Sequence, residues 1–287
     1  MNLKKIKLPE TFARKKESDV NLSFYTNNLK HLENMAGVKR VYLEIPPQDD
    51  SLSLSKERYN INYMVSFIKE AIEMSKGRDY ELIWKWPDIC HDGLIKALNK
   101  VRGILNKMHY NLPIMSNSFN GEYGPYSLNI TNTYSMKSLE GYDMLTLSPE
   151  LSKNDYEEII DNCENPQNVE MLIHGSVELM KTRYPILYRK EQKGNYENIL
   201  TDANRNSHPI HKSISGEELI IFDDSELCLV NEIAHLKKIG FCNFSIDGRY
   251  KDDDYCKIVD VYKKAINGEI RKKELLKYSR KNTTANY

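Results

Sequence analysis

Residues 169–185 read V-E-M-L-I-H-G-S-V-E-L-M-K-T-R-Y-P. The run 169–173 is short and largely apolar, with polar residues on either side, and it ends in the turn-forming pair His174-Gly175. A run of this length closed by a turn signal reads as a buried strand. Val177, Leu179 and Met180 then begin a helical pattern that closes on Arg183-Tyr184-Pro185. A strand that delivers a histidine and a glycine at its C-terminal tip, just before a short helix, is what the mouth of an α/β barrel requires.

The same rhythm extends to both sides. Residues 22–25, 38–45, 80–84, 112–115, 126–130, 144–147, 169–173 and 242–246 read as strands. Apolar residues at helical spacing fall over 27–35, 63–74, 93–108, 156–160, 227–236 and 255–266, with a short helix around Met136 and Leu139. Ser152 is placed to cap the 156–160 helix. Alternating β and α elements imply a parallel sheet, and eight such units in about 250 residues match a closed barrel. A doubly wound open sheet is the competitor, but no Gly-x-Gly-x-x-Gly follows the first strand. The fold expected is α/β, a single (β/α)8 TIM-type barrel over residues 21–270. A polar, hairpin-like insertion at 188–222 precedes the last βα unit. Residues 1–20 form an N-terminal arm, residues 48–55 a loop, and residues 271–287 a basic tail.

Composition narrows the class. The 287 residues carry 41 basic and 41 acidic side chains, so no overall field recruits nucleic acid and any RNA contact has to be a local patch. No apolar run approaches the ~18 residues of a membrane span. The start has charge but no apolar core behind it, so a signal peptide is not expected. Five cysteines without tight spacing argue against a disulfide framework. The expected location is cytoplasmic.

In a barrel, chemistry sits at the C-terminal ends of the strands. Those ends carry Thr26, Glu44, Lys85, Ser116-Asn117, Asn129 with Asn132, Ser148 with Glu150, His174, and Asp247 with Arg249. His174, Glu150 and Asp247 are the candidate catalytic residues. Glu44, Lys85, Asn117, Asn129, Asn132, Arg183 and Arg249 are the candidate substrate-binding residues, Arg249 because a guanidinium grips phosphate or carboxylate in bidentate fashion. Each has a plainer reading. His174 also suits a cap or a rim hydrogen bond, Glu150 the first turn of a helix, Asp247 and Arg249 an ordinary turn with an ion pair. Glu44 and Lys85 also suit a rim salt bridge of little energetic weight. Of Trp84 and Trp86, one suits the core and the other a stack on a base. His208-Pro209-Ile210-His211 lacks the further ligands of a zinc site, and no metal site is expected. There is no P-loop, H-E-x-x-H or G-x-S-x-G.

Five motifs occur in order: Y-S-L-N-I-T-N from Tyr126, T-L-S-P-E-L from Thr146, I-H-G-S-V-E-L-M-K-T-R-Y-P from Ile173, S-E-L-C-L-V from Ser225 and S-I-D-G-R from Ser245. Together they resemble the collagenase-like U-32 peptidase family, in particular the second barrel of its longer members, over roughly residues 22–267. The resemblance implies a (β/α)8-type barrel. The family label implies proteolysis, whereas better-understood relatives support hydroxylation of tRNA or ribosomal RNA bases or of the ubiquinone ring, with an iron–sulfur cluster on four cysteines. Here only Cys228 falls on a family ligand position, and one thiolate does not hold a cluster. The leading expectation is therefore RNA base modification of the hydroxylation type, with a related family member as a possible partner. The alternatives are a non-catalytic binding or scaffold subunit, and a collagenase-like peptidase.

Overall fold

The computed structural model describes residues 19–47, 59–118, 121–139, 141–184, 199–214, 218–269 and 282–283. Most of the expected arm, the 48–55 loop, residues 185–198 of the region around the insertion, and the tail apart from Asn282 and Thr283 lie outside them. The first part of the chain alternates as β1 (Asn21–Thr26), α1 (Leu29–Asn34), β2 (Arg40–Glu44), α2 (Ile61–Ser75), β3 (Glu81–Lys85) and α3 (Asp92–Lys107). It continues with β4 (Ile114–Met115), β5 (Tyr123–Gly124), α4 (Thr133–Lys137), β6 (Met144–Thr146), α5 (Lys153–Asp161) and β7 (Val169–Thr182). The last part is β8 (Ile199–Thr201), β9 (Ser207–Lys212), β10 (Leu219–Cys228), α6 (Ile233–Ile239), β11 (Asn243–Asp247), α7 (Ile258–Ile266) and β12 (Asn282–Thr283).

Strands β1 to β7 pair in sequence, all parallel, and β11 pairs with both β7 and β1. The eight strands thus close a parallel barrel with helices between strands, as the alternation of elements implies. One face of each strand is apolar. Phe24, Val41, Leu43, Trp84, Met171, Phe244 and Ile246 join the helices in one continuous core. Tyr25, Tyr42, Ile83, Met115, Tyr123 and Met144 form a second, separate cluster on alternate strand positions, as a filled barrel interior demands. Among them Glu170 accepts hydrogen bonds from Ser23 Oγ (2.6 Å), Tyr42 OH (3.0 Å) and Thr146 Oγ1 (3.1 Å). Burial raises its carboxyl, and Arg40 and those hydroxyls act against the shift. Ser152 caps α5 as expected, in a capping box with Asp155. No described helix is long and apolar enough to cross a membrane.

Three local expectations are overturned. Residues 126–130 do not form a strand: β5 ends at Gly124, and Tyr126–Leu128 is a 3-10 turn closed by Asn129 at φ 54°. Pro125 begins this turn and has no N–H to give a ladder, and the left-handed Asn129 cannot continue one. The segment after His174 is not helical. β7 runs on to Thr182, because residues 174–182 pair antiparallel with β10. Likewise Leu227 and Cys228 end β10, and α6 begins only at Ile233. In both places a distant partner supplies the backbone hydrogen bonds that local periodicity assigned to a helix.

The extension of β7 pairs with β10, β10 with β9, and β9 with β8. This antiparallel cover sheet has a small core of its own, Ile210, Leu219 and Ile221 with Leu200. It stands over the C-terminal end of the barrel, where Tyr250 OH lies 3.4 Å from Lys212 O of β9.

At the root of the cover sheet, Gly175 has φ 126°, and a Cβ there would lie 2.5 Å from Asp247 O and 2.7 Å from Asp247 Cβ. Only glycine permits both the dihedral and the approach of β7 to β11. Gly175→Ala should therefore lower stability by about 2–5 kcal/mol in urea unfolding. Gly103→Ala, in the exposed part of α3 with nothing within 4 Å of its Cβ, should raise it by about 0.5–1 kcal/mol.

Candidate functional site

The polar strand ends converge on the guanidinium of Arg249, whose side chain is completely buried. Nε donates to Asp247 Oδ1 at 3.0 Å and Nη1 to Glu44 Oε2 at 2.9 Å. Nη2 donates to Asp247 Oδ2 (2.6 Å), Tyr126 OH (2.8 Å) and Glu178 Oε1 (2.8 Å). Glu44 Oε2 also takes the Lys85 ammonium at 3.0 Å, and Lys85 reaches Asp88 Oδ1 at 3.3 Å. Lys181, on the extension of β7, bridges Asp88 and Glu178. Three cations and four carboxylates are thus wired into one network.

Buried charges persist only when paired and hydrogen-bonded, and here each carboxylate has at least one cation. Burial alone would raise the Glu44 carboxyl, but Lys85 and Arg249 outweigh it and leave it below its ordinary range. Asp88 is held far below its ordinary range: burial acts upward, and Lys181 and Lys85 overcome it. These carboxylates stay ionised near neutrality and do not exchange protons there. Glu218, buried just before β10, behaves differently. Burial first, and the Asp88 charge as well, push its carboxyl up to about 7.

Glu44, Lys85, Asp247 and Arg249 are therefore brought together, but as a sealed core, not as rim residues: Glu44 and Lys85 are only 3% and 2% exposed. The reading of Glu44–Lys85 as a weak rim pair is corrected by that burial. Asn117 lies one step out, with Nδ2 3.4 Å from Asp88 O and Oδ1 accepting from Ser127 Oγ at 3.1 Å. Beside the network opens a cleft of about 220 Å³, lined by Tyr126, Ser127, Asn129, Ser148, Glu150, Glu178 and Lys181, with Leu179 and Met180 on its edge. Glu150 is exposed in the turn before α5 and not in its first helical turn. Asn132 caps α4 in a capping box with Ser135. Arg183 is exposed just beyond the end of β7.

His174 stands apart from the network. It pairs in register with Ile246 and Cys228, and its ring packs against Tyr262 (5.4 Å) and Tyr255 (5.9 Å). Burial first, then Lys251, push its imidazole down to about 3. Trp84 and Trp86 are both buried in an edge-on pair with centroids 5.6 Å apart, so neither ring is open to a base. His208 and His211 diverge: the first faces Asp202 at 3.5 Å, and the second stacks on Tyr250 at 4.1 Å. Sequence reasoning missed Asp88, Glu178, Lys181, Glu218 and Tyr250. The i, i+3 spacing of Glu178 and Lys181 reads as one face of a helix, and only the β10 pairing turns them to the mouth.

The cysteines do not fit the iron–sulfur cluster that the resemblance implies. Tyr262 OH faces Cys228 Sγ at 3.9 Å. Cys90 Sγ rests on Pro87 O at 3.1 Å, its thiol pushed up to about 12 by burial and the Glu218 and Asp88 charges. Cys242, at the other end of the barrel, faces Pro166 O at 3.8 Å, and Cys256 faces Asp253 O at 3.5 Å. Among the described residues no three His, Cys, Asp or Glu side chains form a metal-binding group. A hydroxyl–imidazole pair does exist, Thr26 Oγ1 to His31 Nδ1 at 2.8 Å, but both residues are fully buried and cannot reach a substrate.

Removing Arg249 would leave the buried Asp247 carboxylate without a cation and would strip Glu44 and Glu178 of one of their two cations. Arg249→Ala should cost about 3–5 kcal/mol in chemical denaturation, against less than about 1 kcal/mol for the exposed Arg78→Ala; equal losses would contradict the network. Glu218 generates a pH signature. Its folded pKa of about 7 lies above the ordinary 4.5, so the folded state binds the proton more tightly and its contribution to stability falls as pH rises from about 4.5 to 7. Glu218→Gln should gain stability relative to the wild type across that window, and parallel curves would refute the assignment.

Comparison with solved structures finds chitinases at low identity. A mutant of the class V chitinase of Nicotiana tobaccum, in complex with NAG4, is 11% identical, with a TM-score of 0.32 over 88% of this chain and 100% of that one. The C-terminal domain of a putative chitinase from Desulfitobacterium hafniense DCB-2 is 10% identical, with a TM-score of 0.32 over 88% and 99%. The Bacillus cereus spore cortex-lytic enzyme SleL is 8% identical, with a TM-score of 0.31 over 82% and 72%. Similarities this slight carry no functional argument. No curated protein matches the chain. The model of peptidase family U32, in contrast, matches residues 80–285, a span that contains the cleft, Arg249 and all but the first two barrel strands, and the chain belongs to that family.

Proposed function

We propose that this U32-family barrel acts in RNA base modification of the hydroxylation type. In this reading it holds a single-stranded RNA segment across the cleft beside the Arg249 network and works with a partner that supplies the redox group. The observation that carries the reading is the set of exposed apolar and aromatic side chains on the two segments that supply the cleft lining, residues 126–134 and 178–184. Tyr184, just past the end of β7, and Tyr134, on the helix after Asn129, are 74% and 66% exposed, and Leu179 and Met180 are exposed between the cleft and the end of β7. An exposed ring beside an exposed cationic side chain, as Tyr184 stands beside Arg183 in the chain, is a means by which proteins take unpaired bases, through stacking and backbone attraction. A cleft of about 220 Å³ suits one flipped ring and little more. The network supplies fixed charges around that ring. Glu218 is the buried carboxyl nearby that titrates near neutrality.

A binding subunit is the second reading, favoured by the cysteine positions, which do not fit a cluster in this chain. In that case the partner carries the chemistry and this barrel only presents the RNA. The peptidase reading has the least support, because the Thr26–His31 hydroxyl–imidazole pair is sealed and the network carboxylates are tied to cations.

Fluorescence anisotropy with a single-stranded RNA oligomer separates these readings. Tyr134→Ala combined with Tyr184→Ala should weaken binding by about 10- to 100-fold, since stacking contributes about 1–3 kcal/mol per base. No binding by the wild type would overturn both RNA readings. Mass spectrometry of tRNA and ribosomal RNA nucleosides from a deletion strain then decides about modification: loss of a hydroxylated base is expected, and an unchanged nucleoside profile leaves the binding subunit.

A further inference from the structure

The register between β7 and β10 slips twice where the cover sheet leaves the barrel. Glu226, Leu227 and Cys228 pair with Ser176, Gly175 and His174, and Phe222 pairs with Glu178, so residues 223–225 bulge opposite Val177. Ile221 then pairs with Met180, which leaves Leu179 as an extra residue on β7. Bulges disrupt the ladder and bend the strand that carries them, and here they interrupt it on both strands along one line. Beyond that line, residues 180–182, 199–212 and 219–221 form a unit with a core of its own, Ile210, Leu219 and Ile221 with Leu200. That core is distinct from both barrel clusters.

Side chains fasten this unit to the mouth. The Tyr250 ring lies on His211 of β9, with 13° between the planes and 4.1 Å between the centroids. Its hydroxyl is 3.4 Å from both Lys212 O of the unit and Glu44 Oε1 of the barrel. Tyr250 has φ 58°, a conformation that a bulky residue keeps only when its surroundings hold it, and its N–H donates to Asn27 Oδ1 at 2.9 Å. Farther along β7, Lys181 is paired with Asp88, and past the end of β9 Ile214 touches the barrel core. We propose that residues 180–182, 199–212 and 219–221 move as one lid, hinged at Leu179 and at residues 223–225 and latched by the His211–Tyr250 stack and by Lys181. A few residues that absorb the backbone change are what a hinge needs, and the two bulges supply them. Met180 and Lys181 line one wall of the cleft, so opening carries that wall away from Tyr126 and Ser148 and uncovers Arg249 and Glu44. The sealed network is the closed state of the mouth. Such a lid serves any ligand that the cleft takes, RNA or another, so its test needs none.

Amide hydrogen exchange on the full chain, followed residue by residue by NMR, tests this. The Arg249 N–H donates to Asp247 Oδ1 at 3.0 Å and the Tyr250 N–H to Asn27, both on the barrel side of the latch, whereas residues 210–212 and 219–221 pair within the lid. His211→Ala removes the stack and no backbone bond. Exchange at Arg249 and Tyr250 should then speed up about tenfold, the size of one lost aromatic pair. The paired amides of residues 210–212 and 219–221, and that of Val41 in β2, should stay unchanged. Tyr250→Phe keeps the ring and loses the hydroxyl, and should act in the same direction by about threefold. Unchanged exchange at Arg249 and Tyr250 in both variants would overturn the lid. Acceleration of the β9–β10 amides together with them would overturn it as well, because the sheet would then be unfolding and not swinging.

Discussion

A guanidinium buried without any exposure dictates the upper half of this protein. Arg249 sits where the barrel strands end, and a charge in that position survives only if anions and acceptors close around it. Those partners come from β2, β11, the turn after β5 and the extension of β7, so one side chain ties together elements spread over most of the chain. Lys85 and Lys181 carry the same logic outward to Asp88. The extension of β7 is held over the mouth by Glu178 and Lys181, and they in turn depend on Arg249 and Asp88.

This arrangement determines what the mouth can offer. An open barrel mouth would present its arginine and carboxylates to a ligand. Here they are spent on one another, and free space is displaced to the cleft at one side, under Tyr126 and beside Met180. Glu44 and Asp88, held below their ordinary range by cations, position and polarise and do not carry protons at neutral pH. Glu218, which burial lifts towards neutrality, is a carboxyl of different character, and Tyr134 and Tyr184 present exposed rings. The U32 family match specifies the ancestry of the barrel, while these side chains carry the functional reading.

Much of the barrel was legible in the sequence because its signals are local. Alternating apolar strands and amphipathic helices, the cap at Ser152 and the polar strand tips at Glu44, Lys85 and Asp247 follow from spacing alone. The errors fall where a distant segment overrides local pattern. Residues 176–182 carry helical spacing, yet β10 holds them as a strand. The alternation of 126–130 looks like a strand, yet Pro125 and the left-handed Asn129 make a turn of it. His174 was legible as special, but not the direction in which it points: a bulge in the β7–β11 register between Ser245 and Ile246 sets the pairing around it.

By itself the sequence determined the alternation of strands and helices that closes a parallel barrel, the polar character of one barrel end and the family, because periodicity and short motifs are properties of neighbouring residues. Only the tertiary structure decided that the mouth is covered, that Arg249 is buried instead of presented, and that Asp88, Glu178 and Lys181 belong to its network. The physical reason is that a buried charge is defined by its partners, and those partners lie up to 205 residues away along the chain.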